Sequence, residues 1–231
     1  MSDELSIPDD FDSEVRLFPL PNVVFFPQVM LPLHIFEPRY REMTADALAG
    51  DHLVAMALLK PGWEPEYEGR PAIHPVACLG KIVADQRLED GRYNILLRGL
   101  SRIRIVEEVA SGTLYRNARV QVLKDTGAPA PKRAAELRQD LERVVTAWLA
   151  SPGLAEDQIA RLFENKLPLG ALCDILSFAL PLGVEFKQEL LQELRIEHRV
   201  PRLLAHLEAN PRPAEEGQGM PHAFPPAFSS N

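Results

Sequence analysis

The spacing of apolar residues changes once along this chain, and that change limits what it can fold into. Before Leu123, apolar and polar positions alternate: Tyr93, Ile95 and Leu97 against Asn94 and Arg98, then Ile103 and Ile105 against Arg102 and Arg104. A period of two turns one face of an extended strand toward a core and the other toward water. Beyond Pro131 the apolar residues Leu137, Leu141, Val144, Val145 and Trp148 fall three or four apart, the stripe of an amphipathic helix. Between the two patterns lies Asp125 to Pro131 (DTGAPAP), whose glycine and prolines interrupt either one. The expectation is an α+β chain: strands over residues 15–124, a linker at 125–132 and a helical bundle at 133–209.

Turn signals sharpen the first half. Glu89-Asp90-Gly91 separates Val76 to Leu88 from Arg92 to Leu97 and marks a hairpin, because glycine adopts positive φ at little steric cost. Ser111-Gly112 suggests a second turn before Leu114 to Leu123. Strands connected this closely are expected to pair antiparallel and curl into a barrel or meander. One helix should interrupt them, with Pro38 in its first turn, Tyr40, Met43 and Ala47 on one face, and Gly50 as a left-handed stop. In the second half, helices are expected around residues 155–164, 170–180 and 185–194, with a last one near Pro201 to Glu208.

Length and charge exclude several classes. A chain of 231 residues buries roughly 70% of its unfolded surface, so neither disulfides nor a structural metal is needed for stability. Cys78 and Cys173 form no CxxC pair and read as reduced core thiols. The acidic N-terminus does not resemble a signal peptide. The apolar run Leu53 to Leu59 falls far short of the roughly 20 residues that span a bilayer, so a cytoplasmic, non-membrane protein is expected. Six carboxylates, Asp3, Glu4, Asp9, Asp10, Asp12 and Glu14, precede the first cation, Arg16, and leave 27 acidic against 25 basic residues in the body. That balance disfavours nucleic acid as a partner. The acidic leader at 1–14 and the proline-rich tail at 210–231 are expected to be disordered.

Catalytic and metal motifs find little support. The only Gly-Lys pair, Gly80-Lys81, precedes Ile82 rather than Ser or Thr, and Pro75 stands where a phosphate loop has its first glycine. None of the six histidines has HExxH spacing, and Pro201 separates His198 from His206. No GxSxG elbow occurs. No cofactor, metal ligand or catalytic residue is therefore assigned. Arg98, Arg102 and Arg104 could form a short basic stripe, but Glu107 and Glu108 follow at once, so internal ion pairing is favoured. Glu64, Glu66 and Glu68 read as a solvated loop. Trp63 and Tyr67, on the same proline-stiffened loop, either pack inward or form a recognition surface.

The stretch LFPLPNVVFFPQVMLPLHIFEPRYREM, Leu17 to Met43, resembles the opening of the Lon protease N-terminal domain family. Its physical sense is a first strand ended by Pro19 and Pro21, a second at Val23 to Phe26, a turn at Pro27, and an extended entry at Leu31 to Leu33 into a helix. Gly80-Lys81-Ile82, Asp90 to Tyr93 and LLRGLSRIRI from Leu96 to Ile105 resemble the family's central hairpin; Asp174 to Leu176 and Lys187 to Leu191 resemble it more loosely. Pro201 departs from the pattern. The resemblance implies a PUA-like antiparallel β-barrel lobe followed by a helical bundle, and a non-catalytic module that binds unfolded or client proteins, with an ATP-dependent protease or chaperone as a further partner. The substrate-binding residues expected on this reading are Phe26, Met30, Trp63 and Tyr67, with core packing of Phe26 as the alternative. A competing reading is an RNA or nucleotide-ligand module on a PUA-like barrel.

Overall fold

The computed structural model describes residues 7–8, 11–67, 69–149, 162–164 and 167–210. Among the described residues there are six strands: β1 (Glu14–Leu20), β2 (Met30–Ile35), β3 (Leu53–Leu58), β4 (Val76–Arg87), β5 (Tyr93–Val109) and β6 (Arg116–Leu123). The longer α-helices among the described residues are α1 (Pro38–Leu48), α2 (Pro131–Trp148), α3 (Leu169–Ala179), α4 (Val184–Gln192) and α5 (Ile196–Ala209). Residues 162–164 are also helical, and the rest of the helix expected at 155–164 lies outside the described residues, as do most of the acidic leader and nearly all of the proline-rich tail. No helix among the described residues is long and apolar enough to cross a membrane.

The strands form one sheet in the order β2-β5-β4-β3-β1-β6, and a further β5–β6 pairing brings the ladder back to β5. It is not the clean antiparallel barrel expected from the turn spacing. β2 stands outside the return, and β1 pairs parallel with β3, Leu17 opposite Ala55. A parallel pair needs a long crossover, which β2 and α1 supply. Alternation explains the layering. In β3, Leu53, Ala55 and Ala57 join Leu17, Leu79 and Ile103 in one apolar cluster, while Val54, Met56 and Leu58 join a larger cluster that continues into the helices. Ile7 and Phe11, within the leader, pack against the smaller cluster.

Two facing glycines decide how the sheet is covered. Gly80 on β4 lies opposite Gly99 on β5. A Cβ on Gly99 would overlap the Phe26 carbonyl, and one on Gly80 would meet the side chains of Leu97 and Phe25. The Val23 to Phe26 segment therefore lies flat across the sheet, with Phe25 and Phe26 essentially fully buried. It is not the strand expected there. The strand begins at Met30, after Gln28 turns the chain with φ of 66° and donates its N–H to the Gly99 carbonyl. The Glu89 to Gly91 hairpin is present, with Gly91 at φ of 80° and its N–H on the Leu88 carbonyl. α1 starts at Pro38 and buries Tyr40, Met43 and Ala47, but the left-handed residue after it is His52 rather than Gly50.

The helical half packs directly on the sheet. Leu137, Leu141, Val144 and Val145 of α2 share one core with Phe25, Leu97, Leu172, Leu190 and Leu203. Each such side chain contributes roughly 1.5–3 kcal/mol by leaving water. The segment after β6 is fastened: Thr126 N–H bonds the Leu194 carbonyl, Ile196 N–H bonds Thr126, and Glu197 N–H bonds Gly127. Pro201 does not start the last helix, which begins at Ile196 and contains it. There it removes the donor that would have reached Glu197 and crowds that carbonyl.

Candidate functional site

Three kinds of place could carry function: buried charge, cysteine, and exposed apolar surface. The buried charge is a junction between the halves. Arg102 on β5 donates to both oxygens of Asp174 on α3 at 2.7 and 2.8 Å and to the Leu191 carbonyl at 2.8 Å. Arg199 on α5 donates to both oxygens of Asp125 at 2.6 and 3.0 Å and sits 3.3 Å from Asp174. Burial pushes the Asp174 carboxyl up, and Arg102 followed by Arg199 pulls it back. Two cations and two carboxylates balance one another in charge here, with Arg199 Nε alone lacking a hydrogen bond, which suits a structural junction. The short basic stripe weighed for Arg98, Arg102 and Arg104 does not form: Arg102 is ion-paired inside this junction, as the favoured reading had it, while Arg104 faces water.

Cys78 and Cys173 are both free and buried. Burial raises both thiols, Cys173 to about 12, so neither supplies a thiolate near neutral pH. Lys187 is also displaced. Its ammonium donates to the Phe178 carbonyl in the last turn of α3, and burial lowers it to about 8. Among the described residues no three His, Cys, Asp or Glu side chains gather in a metal-holding arrangement.

Exposed large apolar side chains occur at Val83, Val106 and Leu114 and, as a regularly spaced pair, along β2. Leu31, Leu33 and Ile35 enter the core, and Met30, Pro32, His34 and then Phe36 alternate onto the outer face. Met30 and Phe36, 43% and 38% exposed, mark its two ends, roughly 20 Å apart along an extended chain. β5 lies beside them in register, Arg98 opposite Met30, Leu96 opposite Pro32 and Asn94 opposite His34. His34 Nδ1 lies 2.7 Å from Asn94 Oδ1 and its Nε2 lies 3.2 Å from Arg92. A pair of apolar ends therefore flanks a polar middle.

Directly after Phe36 the chain meets the aromatic loop. Tyr67 donates its hydroxyl to Glu37 at 2.9 Å, and Arg39 donates to the Tyr67 carbonyl at 3.1 Å. The Arg39 guanidinium lies over both the Tyr40 and Tyr67 rings, 4.7 and 4.8 Å from their centroids. Trp63 meets Tyr67 edge to face at 5.3 Å. Burial, then the bond to Glu37, raises the Tyr67 hydroxyl. Both rings are half-buried, neither in the core nor free. Thus Met30, Tyr67 and Trp63 lie at or beside the β2 to α1 passage, whereas Phe26 is 0% exposed and leaves the candidate surface. Phe36 and His34 were missed. Their signal was present in Met30, Pro32, His34 and Phe36 at every second position, and placing the strand at Val23 to Phe26 hid it.

Comparison with known proteins converges on one group. The family model described as the ATP-dependent protease La (LON) substrate-binding domain matches residues 14–209. "Lon protease" of Dictyoglomus thermophilum is 24% identical over 205 residues, covering 88% of this chain and 25% of that protein. "Lon protease 2" of Herpetosiphon aurantiacus is 27% identical over 210 residues, with 88% and 25% covered. The chain thus spans about a quarter of the length of these curated relatives. Among solved structures, the N-terminal domain of Mycobacterium avium complex Lon protease superposes with a TM-score of 0.64 at 16% identity, covering 85% of this chain and 98% of that one. A Lon N-terminal domain protein from Xanthomonas campestris gives 0.60 at 22% identity, covering 83% and 97%.

Proposed function

Since the chain belongs to the ATP-dependent protease La (LON) substrate-binding domain family, we propose that it is a non-catalytic recognition module that binds exposed apolar or extended segments of client proteins in protein quality control. The observation that carries this reading is the outer face of β2, where Met30 and Phe36 stay exposed at the two ends of a strand whose other side chains are buried or half-buried. Apolar side chains held at fixed spacing on a rigid strand bind with little loss of conformational freedom. Trp63 and Tyr67 extend that surface beyond Phe36; Arg39 packs on the Tyr67 ring, and Trp63 meets that ring edge to face. A partner protease or chaperone would receive the client.

The test is a binding titration against a reduced, unfolded globular protein and its folded form. The unfolded form should bind in roughly the micromolar range, with little dependence on salt, because apolar burial is barely screened. Replacing both Met30 and Phe36 by Ser should weaken binding about tenfold or more, given roughly 1 kcal/mol or more for each lost contact. Equal affinity for both forms, together with RNA binding that falls steeply with salt, would instead support the nucleic-acid reading.

A further inference from the structure

Within β2 the backbone carries as much information as the side chains. Gly99 donates its N–H to the Val29 carbonyl, which sets the phase of the antiparallel ladder. Backbone polar groups alternate sides along a strand, so Leu31, Leu33 and Ile35 turn theirs toward β5, and Met30, Pro32 and His34 turn theirs away. β2 is the terminal strand of the sheet, paired among the described residues with β5 alone. Pro32 therefore falls where it costs the β2–β5 ladder nothing, since its missing N–H would have pointed outward. The open edge offers carbonyls at Met30, Pro32 and His34 but N–H groups only at Met30 and His34.

The charge at this edge is also uneven. Arg98, opposite Met30, donates to the neutral side-chain amide of Gln28 at 3.3 Å. At the other end Glu37 and Arg39 satisfy each other at 2.8 Å. One end thus presents a cation that no carboxylate among the described residues neutralises, and the other is balanced.

We propose that the free edge of β2 takes up an extended segment of another polypeptide as an added strand, with an acidic side chain of that segment set over Arg98 and apolar side chains on Met30 and Phe36. This rests on the recognition reading above and gives it a mode. When a partner displaces water from a strand edge, an extended backbone replaces the lost bonds at matching spacing, whereas apolar side chains alone leave them unmet. The missing donor at Pro32 blunts the edge against indiscriminate pairing while leaving enough bonds for a transient client.

The probe is a short peptide of alternating Leu and Thr with one Glu near an end, titrated beside the reduced, unfolded protein. N-methylation of alternate peptide bonds removes donors without changing side chains. One alternating set should abolish binding and the other leave it nearly intact. Pro32→Val restores an outward donor and should tighten binding several-fold. His34→Pro removes one and should weaken it roughly tenfold relative to His34→Ala, as expected for losing a hydrogen bond and leaving its partner unsatisfied. Arg98→Glu should reverse the preference from the Glu peptide to its Lys counterpart. If both methylated sets bind alike, or Pro32→Val and His34→Pro change nothing while the unfolded protein still binds, strand addition is overturned and recognition stands. If neither peptide nor unfolded protein binds, the recognition reading itself falls. Self-association of Pro32→Val that the peptide cannot displace would assign the edge to a second copy and overturn the proposal.

Discussion

Arg102 and Asp174, 72 positions apart in the chain, face each other through two parallel hydrogen bonds with both side chains almost fully buried. A bidentate arginine–carboxylate pair of this kind fixes orientation as well as distance. It ties the middle of β5 to α3, and Arg199 and Asp125 complete the charge balance around it.

Removing one member should be costly. Asp174→Ala leaves Arg102 and Arg199 facing an apolar interior with one carboxylate between them, a loss of about 3–5 kcal/mol. Urea unfolding measures it. Replacing Arg102 and Asp174 together by Met and Leu should recover most of the loss, and a double variant as unstable as Asp174→Ala would contradict this account.

Gly99→Ala should destabilise more than Gly80→Ala. At Gly99 the added methyl meets the Phe26 carbonyl, which is main chain, whereas at Gly80 it meets the side chains of Leu97 and Phe25, which can shift. A cost of about 3 kcal/mol is expected for Gly99→Ala and about half that for Gly80→Ala. Thermal unfolding of the two variants gives the order.

Lys187 should make stability rise with pH. Its folded value of about 8 lies below that of an unfolded lysine, so between about pH 8 and about pH 10.4 the unfolded chain binds more protons and unfolding becomes less favourable as pH rises. The burial cost is present in full below this window and relieved above it, at most about 3 kcal/mol. Lys187→Met should flatten the slope of stability between pH 8 and 10, measured by denaturant unfolding at each pH.

Both thiols should resist labelling in the native state. With Cys78 and Cys173 buried and raised by desolvation, a disulfide reagent at pH 8 should react only as fast as the fold opens. Two thiols should then appear together in denaturant. Fast native labelling of either would show local opening around that strand or helix.

Much of the architecture was legible because period and turn chemistry act locally. The β4–β5 hairpin, the buried face of α1 and the stripe on α2 all follow from spacing within a few residues. Long-range pairing was not legible in that way. Nothing near Leu17 announces that it lies parallel to Ala55, and nothing near Gly99 announces that the Phe26 backbone crosses it. Because that crossing decides which of Val23 to Phe26 and Met30 to Ile35 becomes the strand, spacing alone drew the strand one segment too early and left Phe26 between the core and the expected surface. Of the expected surface, Met30 and the Trp63–Tyr67 pair were accessible to a reading of exposed apolar groups. Phe26 was not separable from them until its glycine neighbours were known.

The junction around Arg102 also imposes an order in time. A polypeptide leaves the ribosome from its N-terminus, so every strand of the sheet is available before Asp174 exists. At roughly 5–20 residues per second the wait for that carboxylate is on the order of ten seconds. During it the guanidinium at the centre of β5 has only Asp125 close by, and the face destined for α3 and α4 stays wet. The junction therefore closes last, when α3 brings the carboxylate that the buried guanidinium lacks.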